Sequence, residues 1–438
     1  MSKETNETAT ALKHNTQLVA DADSDSDIIV HVDCDCFYAA CERIKEPALR
    51  GEPLVIGMGY DSGAKHGAVA TASYEAREYG VDSAMPIEDA LEKLPRREAE
   101  ATTDTDTIQI AGETEADTNP TAYYRPVDLD YYEEKGSAVH DILESVADVF
   151  QPVSVDEAYL DVTSKTDWDS ITDFIETIQS RVNAEENIPV SVGAAPTKSA
   201  AKVASDYNKP DGTKVVKPGA VKDFFADLPV SEIHGIGDVT GSKLRGMGIE
   251  TGGDLASADP DMLADEFGSR GVEIHQRARG HDPREVSPPD DPKSISNESS
   301  LGKDGADSDT ALARMEELCD KVGDRVVEKN AFFRTVSVKV VLPPFTVKTR
   351  ARSLPGSTQS SRIIHDVTNE LFTEFKDDRI RKIGVRVSNL SFSEATQQSL
   401  AEWSEDSTQT SRDEISGHHK DIPNIPQDNR QTVLHDYV

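Results

Sequence analysis

Two short acidic segments hold the residues best suited to chemistry: His31-Val32-Asp33-Cys34-Asp35-Cys36-Phe37-Tyr38, and Ser154-Val155-Asp156-Glu157-Ala158-Tyr159. Each sets carboxylates beside a β-branched apolar run, which is how a sheet presents hard oxygen ligands to a divalent metal. Residues 28–32 read as a buried strand, and period-two alternation puts Asp33 and Asp35 on one face, with Cys34 and Cys36 on the other. Residues 149–155 and 158–162 read as two strands joined tightly at Asp156-Glu157, so those carboxylates sit at a hairpin tip. If the hairpin pairs beside the first strand, Asp33, Asp156 and Glu157 converge. Three unpaired carboxylates so close repel by on the order of several kcal/mol at low effective dielectric, and a cation removes that cost. Magnesium takes oxygen ligation from a few carboxylates plus substrate phosphates, and two such ions stabilise the attacking and leaving oxygens of an in-line displacement. The chemistry indicated is phosphoryl transfer. The competing reading of either segment alone is a solvated rim on an acidic protein.

The elements that position these residues belong to a chain of 438 residues, long enough for two to four domains with ample core. No apolar run approaches a membrane span, and the polar start has no signal-peptide core, so a cytoplasmic protein is expected. Cys34, Cys36 and Cys41 lack the companion pair of a zinc site, and reduced cysteines are the simpler reading. The formal net charge is -35, from 81 acidic against 46 basic residues. Residues 293–392 depart from it, with 17 Lys or Arg against 14 Asp or Glu, a local +3. A basic module on an acidic body reads as a nucleic-acid grip.

The run His31 to Ala40, with Glu42, Pro47, Leu49, Gly51 and Pro53, resembles the opening of the Y-family lesion-bypass DNA polymerases of the DNA polymerase IV type. Gly67-Ala68-Val69-Ala70-Thr71-Ala72-Ser73-Tyr74-Glu75-Ala76-Arg77, the segment from Ser154 to Val162, and Asn208-Lys209-Pro210-Asp211-Gly212 match the family in order and spacing. The acidic body resembles haloarchaeal members, whose surface acid keeps a protein hydrated in concentrated salt. Counterion release contributes little to DNA binding in such salt, so contact leans on hydrogen bonds and shape.

The resemblance implies an α+β right-hand polymerase that adds deoxynucleotides to a primer with low fidelity and no proofreading, using two Mg2+ ions. Asp33, Asp156 and Glu157 are then the catalytic and metal-holding residues, joined by the backbone carbonyl of Cys34, with Asp35 in support. Phe37, Tyr38, Thr71, Tyr74, Arg77 and Lys209 face the incoming nucleotide, and Tyr38 is the steric gate against a 2'-hydroxyl. Small residues at 67–73 imply a thin roof over the nascent pair, tolerant of damaged templates.

The expected domains are palm at 28–43 and 123–216, fingers at 44–97, a thumb at 217–285, a linker at 286–292 and a DNA-gripping little finger at 293–392. An acidic extension at 1–27 and an insertion at 98–122, which departs from the family pattern, are expected to be disordered or solvated. In the thumb, Gly235-Ile236-Gly237 followed by Thr240, Lys243-Leu244 and Gly248-Ile249 resembles a helix-hairpin-helix, whose backbone N–H groups hold phosphate without reading bases. In the little finger, Lys348, Arg350 and Arg352 alternate along one strand face as candidate phosphate contacts. The tail, 393–438, ends in Gln431-Thr432-Val433-Leu434-His435-Asp436-Tyr437-Val438, similar to the peptide that plugs a PCNA-type sliding clamp, with Gln431, Leu434, Tyr437 and Val438 as its contacts. Val438 stands where a second aromatic is usual. The expected partners are primer–template DNA, deoxynucleoside triphosphates and the clamp, with no membrane, for a monomer. Two rivals remain: another palm-type enzyme such as a nucleotidyl cyclase, which needs no helix-hairpin-helix, and a catalytically silent clamp-bound scaffold.

Overall fold

Ile29–Cys34 forms strand β1, buried along its whole length because it is the middle strand of a five-stranded sheet of order β5-β6-β1-β7-β8. A computed structural model describes residues 26–97, 120–302 and 304–392. Its mixed α+β chain divides into two units between Pro289 and Asp290.

In the first unit β1 leads into α1 (Phe37–Lys45), β2 (Leu54–Met58), β3 (Ala68–Ala72), the one-turn α2 (Tyr74–Arg77), α3 (Ile87–Lys93) and β4 (Tyr123–Pro126). β2 pairs antiparallel with β3 and parallel with β4, making a separate three-stranded sheet. The chain returns to the larger sheet through α4 (Leu129–Glu144), β5 (Val149–Pro152), β6 (Glu157–Asp161), α5 (Ile171–Glu186), β7 (Val190–Ala195), α6 (Lys198–Tyr207) and β8 (Thr213–Val215). Ile171, Ile175, Ile178 and Val182 recur at helical spacing and form the buried stripe of α5. Short helices α7 (Val221–Ala226), α8 (Asp238–Gly246), α9 (Gly252–Ser257), α10 (Pro260–Phe267) and α11 (Ser269–Ala278) complete the unit, and their Phe225, Leu244, Leu255, Leu263 and Ile274 share one core with Ile29, Tyr159 and α6.

Two expectations shift. A strand expected to reach residue 155 stops at Pro152, which has no N–H to donate, and Val153 and Ser154 instead donate to the Glu157 carbonyl at 2.9 and 3.2 Å to close the hairpin. The helix α4 ends at Glu144, and Val149 and Phe150 pair with Asp161 and Leu160. β1 ends at Cys34 and the chain turns through Cys36 in a left-handed conformation, φ 45°. Asp35 therefore lies beyond the regular strand alternation, yet its carboxylate still reaches Ser191, the residue opposite Asp33 on β7.

The second unit runs β9 (Ser294–Ser300), α12 (Ser308–Glu328), β10 (Phe333–Leu342), β11 (Thr346–Thr358), α13 (Ser361–Phe372) and β12 (Lys382–Ser388). Its antiparallel sheet has the order β11-β10-β12-β9. Val336, Val338, Val340, Ile383 and Val385 pack one face against Met315, Leu318 and Val322 of α12 and Ile364 and Val367 of α13. The alternate residues form the other face.

A tight seam in the first unit is α6 on β7. A Cβ placed on Gly193 would stand 2.2 Å from the Ala201 carbonyl oxygen and 2.3 Å from the Ser205 nitrogen, both backbone atoms that cannot step aside. Gly193→Ala is expected to cost about 1–3 kcal/mol of stability by overpacking, read from urea or guanidinium unfolding. An unchanged midpoint would show that this seam is looser than described.

Candidate active site

Strand register makes the first contact. Asp33 on β1 stands directly opposite Glu157 on β6, and the Cys34 N–H donates to the Asp156 carbonyl at 2.9 Å. The hairpin thus sits beside β1 and brings the acids of both segments to one end of the sheet. Directly opposed carboxylates repel, and the structure answers with two lysines. Lys202 Nζ lies 2.7 Å from Asp33 Oδ2 and 2.7 Å from Glu157 Oε2. Lys209 Nζ lies 2.7 Å from Asp33 Oδ1 and 2.8 Å from Asp206 Oδ1. Burial works against the charge on Lys202, yet Asp33, Glu157 and Asp206 keep it firmly protonated.

His31 stands on the same face of β1, one alternation before Asp33. Its Nδ1 shares a 2.8 Å hydrogen bond with Ser205 Oγ. Its Nε2 ends 3.5 Å from Glu157 Oε2 and is a buried atom without a hydrogen-bond partner. Burial, then the Lys202 charge, holds the imidazole neutral. Burial also opposes ionisation of Glu157, but the Lys202 ammonium beside it holds its carboxyl well below the usual range. Asp156 behaves in the opposite way. Burial, then the Asp33 charge, pushes its pKa up to about 6, against a hydrogen bond from Ser154. Asp156 is thus the under-compensated acid of the group.

These groups fit a hard divalent cation. Ligand atoms of His31, Asp33 and Glu157 lie within 4.8 Å of one another, the donors are mainly carboxylate oxygens, and an orphaned ring nitrogen is aimed among them. A charge placed there would also relieve Asp156.

The nucleotide-facing candidates gather nearby through Asp35. Its carboxylate accepts from Ser191 Oγ at 2.9 Å, from Tyr74 Oη at 3.1 Å and from the Asp211 N–H at 2.7 Å. One buried side chain thereby ties the end of β1 to β7, to α2 and to the turn that follows Lys209. Arg77 is exposed, with Nε on the Ala72 carbonyl at 3.0 Å and its guanidinium 5.1 Å from the Tyr74 ring. Tyr38 is buried and stacks on Tyr132 at 4.4 Å and 20°, next to buried Phe37. Thr71 is half-buried in β3, whose Cys36-facing carbonyl, that of Ala72, lies 3.5 Å from Cys36 Sγ.

Sequence reasoning missed Lys202, Asp206 and His31. Lys202 and Asp206 fall at positions i and i+4 of α6, a spacing that puts both on one helical face, Lys209 follows in the turn after the helix, and His31 follows from the alternation that already marked Asp33.

The candidate DNA contacts divide. Gly235 has φ +91°, and a Cβ there would stand 2.6 Å from Arg277 Nη1; its carbonyl accepts from Arg270. Gly237, in extended conformation, starts α8. Lys243 pairs with Glu266 at 2.7 Å. Lys348, Arg350 and Arg352 do share one face of β11, but it is the face that α13 covers. Each is held by an acid, Lys348 by Asp378 at 3.4 Å and the arginines by Glu374 and Glu370. On the open face stand Lys339, Lys382 and Arg386 among hydroxyl and small side chains. The peptide Gln431, Leu434, Tyr437 and Val438, most of the acidic insertion and most of the N-terminal extension lie outside the described residues.

Comparison with known proteins gives a consistent result. Residues 32–206 match the impB/mucB/samB family, 218–249 the IMS family HHH motif, and 292–400 the impB/mucB/samB family C-terminal domain. DNA polymerase IV of Halobacterium salinarum is 49% identical over 374 residues, 85% of this chain and 87% of the relative. DNA polymerase IV of Methanoculleus marisnigri is 37% identical over 81% of this chain and 92% of the relative. Among solved structures, the Y-family DNA polymerase chimera Dbh-Dpo4(243-245)-Dbh aligns with a TM-score of 0.71 at 27% identity, covering 84% of this chain and 100% of that one. An insertion ternary complex of Dbh DNA polymerase aligns at 0.58 and 27%, covering 84% and 100%.

The raised pKa of Asp156 carries a stability consequence. The folded protein holds its proton up to about 6, whereas an unfolded aspartate releases it near its ordinary value of 3.8. Stability of the metal-free protein therefore falls as pH rises through that window, and the ionised carboxylate costs about 2–3 kcal/mol above it. Asp156→Asn is expected to raise the thermal midpoint at pH 7.5 in the presence of EDTA and to flatten the pH dependence between 4 and 6. A lower midpoint with the pH profile intact would contradict the charge assignment.

Proposed function

The chain belongs to the impB/mucB/samB family of Y-family DNA polymerases and is a DNA polymerase, and from that premise we propose that it copies damaged templates with low fidelity through a magnesium site at the end of β1. The observation that carries this reading is the Asp33–Glu157 register, with Asp156 at the hairpin tip beside it. Asp33, Asp156, Glu157 and the carbonyl of Cys34 would hold two Mg2+ ions. Such ions supply Lewis-acid stabilisation of the attacking and leaving oxygens when bound.

The chain's own residues do the rest. The reaction forms a bond between the primer 3'-oxygen and the α-phosphorus, breaks the bond to the β-phosphate oxygen, and sends out pyrophosphate and the hydroxyl proton. Lys209, Arg77 and Tyr74 are positioned to carry the triphosphate, since charge-assisted donors at phosphate oxygens stabilise developing negative charge. Asp35 orients two of these three through Tyr74 and the Asp211 turn. Tyr38, fixed by its stack on Tyr132, is the steric gate. Phe37 and Thr71 face the nucleotide, and the small residues at 67–73 make a roof with little bulk to test the pair. That thinness supports tolerance of lesions and of mispairs.

DNA is held, in this reading, by the Gly235–Gly237 backbone and by the open face of the C-terminal sheet. Lys348, Arg350 and Arg352, locked to acids, contribute at the edge of that sheet. The clamp contact rests on the C-terminal peptide sequence, and the acidic composition on adaptation to high salt, which a relative at 49% identity from Halobacterium salinarum supports. No helix among the described residues is long and apolar enough to cross a membrane. A cytoplasmic monomer is the accompanying proposal.

Primer extension in magnesium and molar potassium chloride tests the site. Asp33→Asn, Asp156→Asn and Glu157→Gln are each expected to slow extension on the order of 10³-fold or more, while Tyr38→Ala keeps deoxynucleotide extension and gains ribonucleotide insertion. Extension unchanged in Asp156→Asn, or a Tyr38→Ala enzyme still closed to ribonucleotides, would reject the corresponding role.

A further inference from the structure

The open face of the C-terminal sheet, a concavity of about 520 Å³, holds one acid, Glu298, among its serines, threonines and cations. Glu298 on β9 lies directly opposite Gly384 on β12, and Gly384 lies opposite Lys339 on β10. Lys339 is therefore two strands away, on the order of 10 Å at the usual strand spacing. The Glu298 side chain nevertheless reaches it, with Lys339 Nζ 2.9 Å from Oε1 and 3.2 Å from Oε2. It crosses the middle strand by lying over Gly384, where a Cβ would stand 2.5 Å from Glu298 Cγ. Lys382 closes on the same carboxylate, 2.6 Å from Oε2. Burial opposes ionisation of Glu298, but the hydrogen bonds from Lys382 and Lys339 hold its carboxyl below the ordinary range.

The arrangement has the chemistry of a phosphate site with its anion built in: two ammonium groups converge on one pair of oxygens. Of the three cations on this face, only Arg386 is exposed and has no acid of the described residues within ion-pair distance. We propose that Glu298 stands in the place of a nucleic-acid phosphate between Lys339 and Lys382, keeping both lysines aimed while limiting how tightly the sheet grips DNA. The proposal rests on the reading of this face as the DNA-facing one.

The test is fluorescence anisotropy of the full-length protein with a labelled primer–template duplex across a potassium chloride series, with far-UV circular dichroism to confirm folding. Glu298→Gln, which keeps the shape and removes the charge, is expected to bind several-fold tighter. Each lysine released to phosphate steepens the log–log salt slope by about 0.9, so the slope should grow by up to about 2. Gly384→Ala, which displaces the Glu298 side chain without removing its charge, should move both readings the same way by less. Unchanged or weakened binding in Glu298→Gln would overturn the proposal and make Glu298 a strand-to-strand fastener. Arg386→Gln separates the two levels: if it weakens binding while Glu298→Gln does nothing, the face binds DNA and Glu298 does not mask it. If neither affects binding, the face itself is misassigned.

Discussion

Like charge held at close range is the constraint on which this molecule is built. The antiparallel register of β1 and β6 sets Asp33 against Glu157, and nothing in the pairing of those strands relieves their repulsion. Relief comes from α6 and the turn after it, which bring Lys202 and Lys209 to 2.7 Å from the acids. The packing follows from that need. Gly193 lets α6 sit against the sheet, Asp35 fastens the Lys209 turn to β1, and a fully buried β1 gives the acids a rigid base. Asp156, left under-compensated, is the costliest charge of the group.

Much of this was legible in the sequence because its signals are local. Period-two alternation located β1, and the acids at Asp156-Glu157 marked the hairpin tip. The turn-rich Gly235-Ile236-Gly237 segment marked the entry to α8. What stayed hidden depends on partners distant in sequence. Asp35 was marked only as a companion of Asp33; that its carboxylate joins Ser191, Tyr74 and Asp211 could not be read from the strand pattern. Lys202 lies 169 residues from Asp33, and no local pattern joins the two. The row of Lys348, Arg350 and Arg352 was correctly placed on one face of a strand. Which face α13 would cover is a tertiary fact, and the acids of α13 and the turn after it decide the electrostatics.

Those pairings also refine the meaning of the charge asymmetry. The C-terminal segment is locally basic by count, yet most cations singled out in it are met by an acid: Lys348 by Asp378, Lys339 and Lys382 by Glu298. Net charge is thus a poor guide to the grip of such a surface, and the cations without an internal anion matter more. A similar but incomplete balance operates at the end of β1, where Lys202 and Lys209 offset Asp33, Glu157 and Asp206 while Asp156 has no lysine partner among the described residues.

The central claim is that the Asp33, Asp156 and Glu157 group is a divalent-metal site whose charge is balanced by Lys202 when metal is absent. The most direct test is anomalous diffraction at the manganese edge, on crystals of the wild-type protein with primer–template DNA and a non-hydrolysable deoxynucleotide. The account predicts two manganese peaks bounded by Asp33, Asp156 and Glu157, with Lys202 moved off at least one carboxylate. Manganese bound elsewhere, with Lys202 still bridging Asp33 and Glu157, would contradict it.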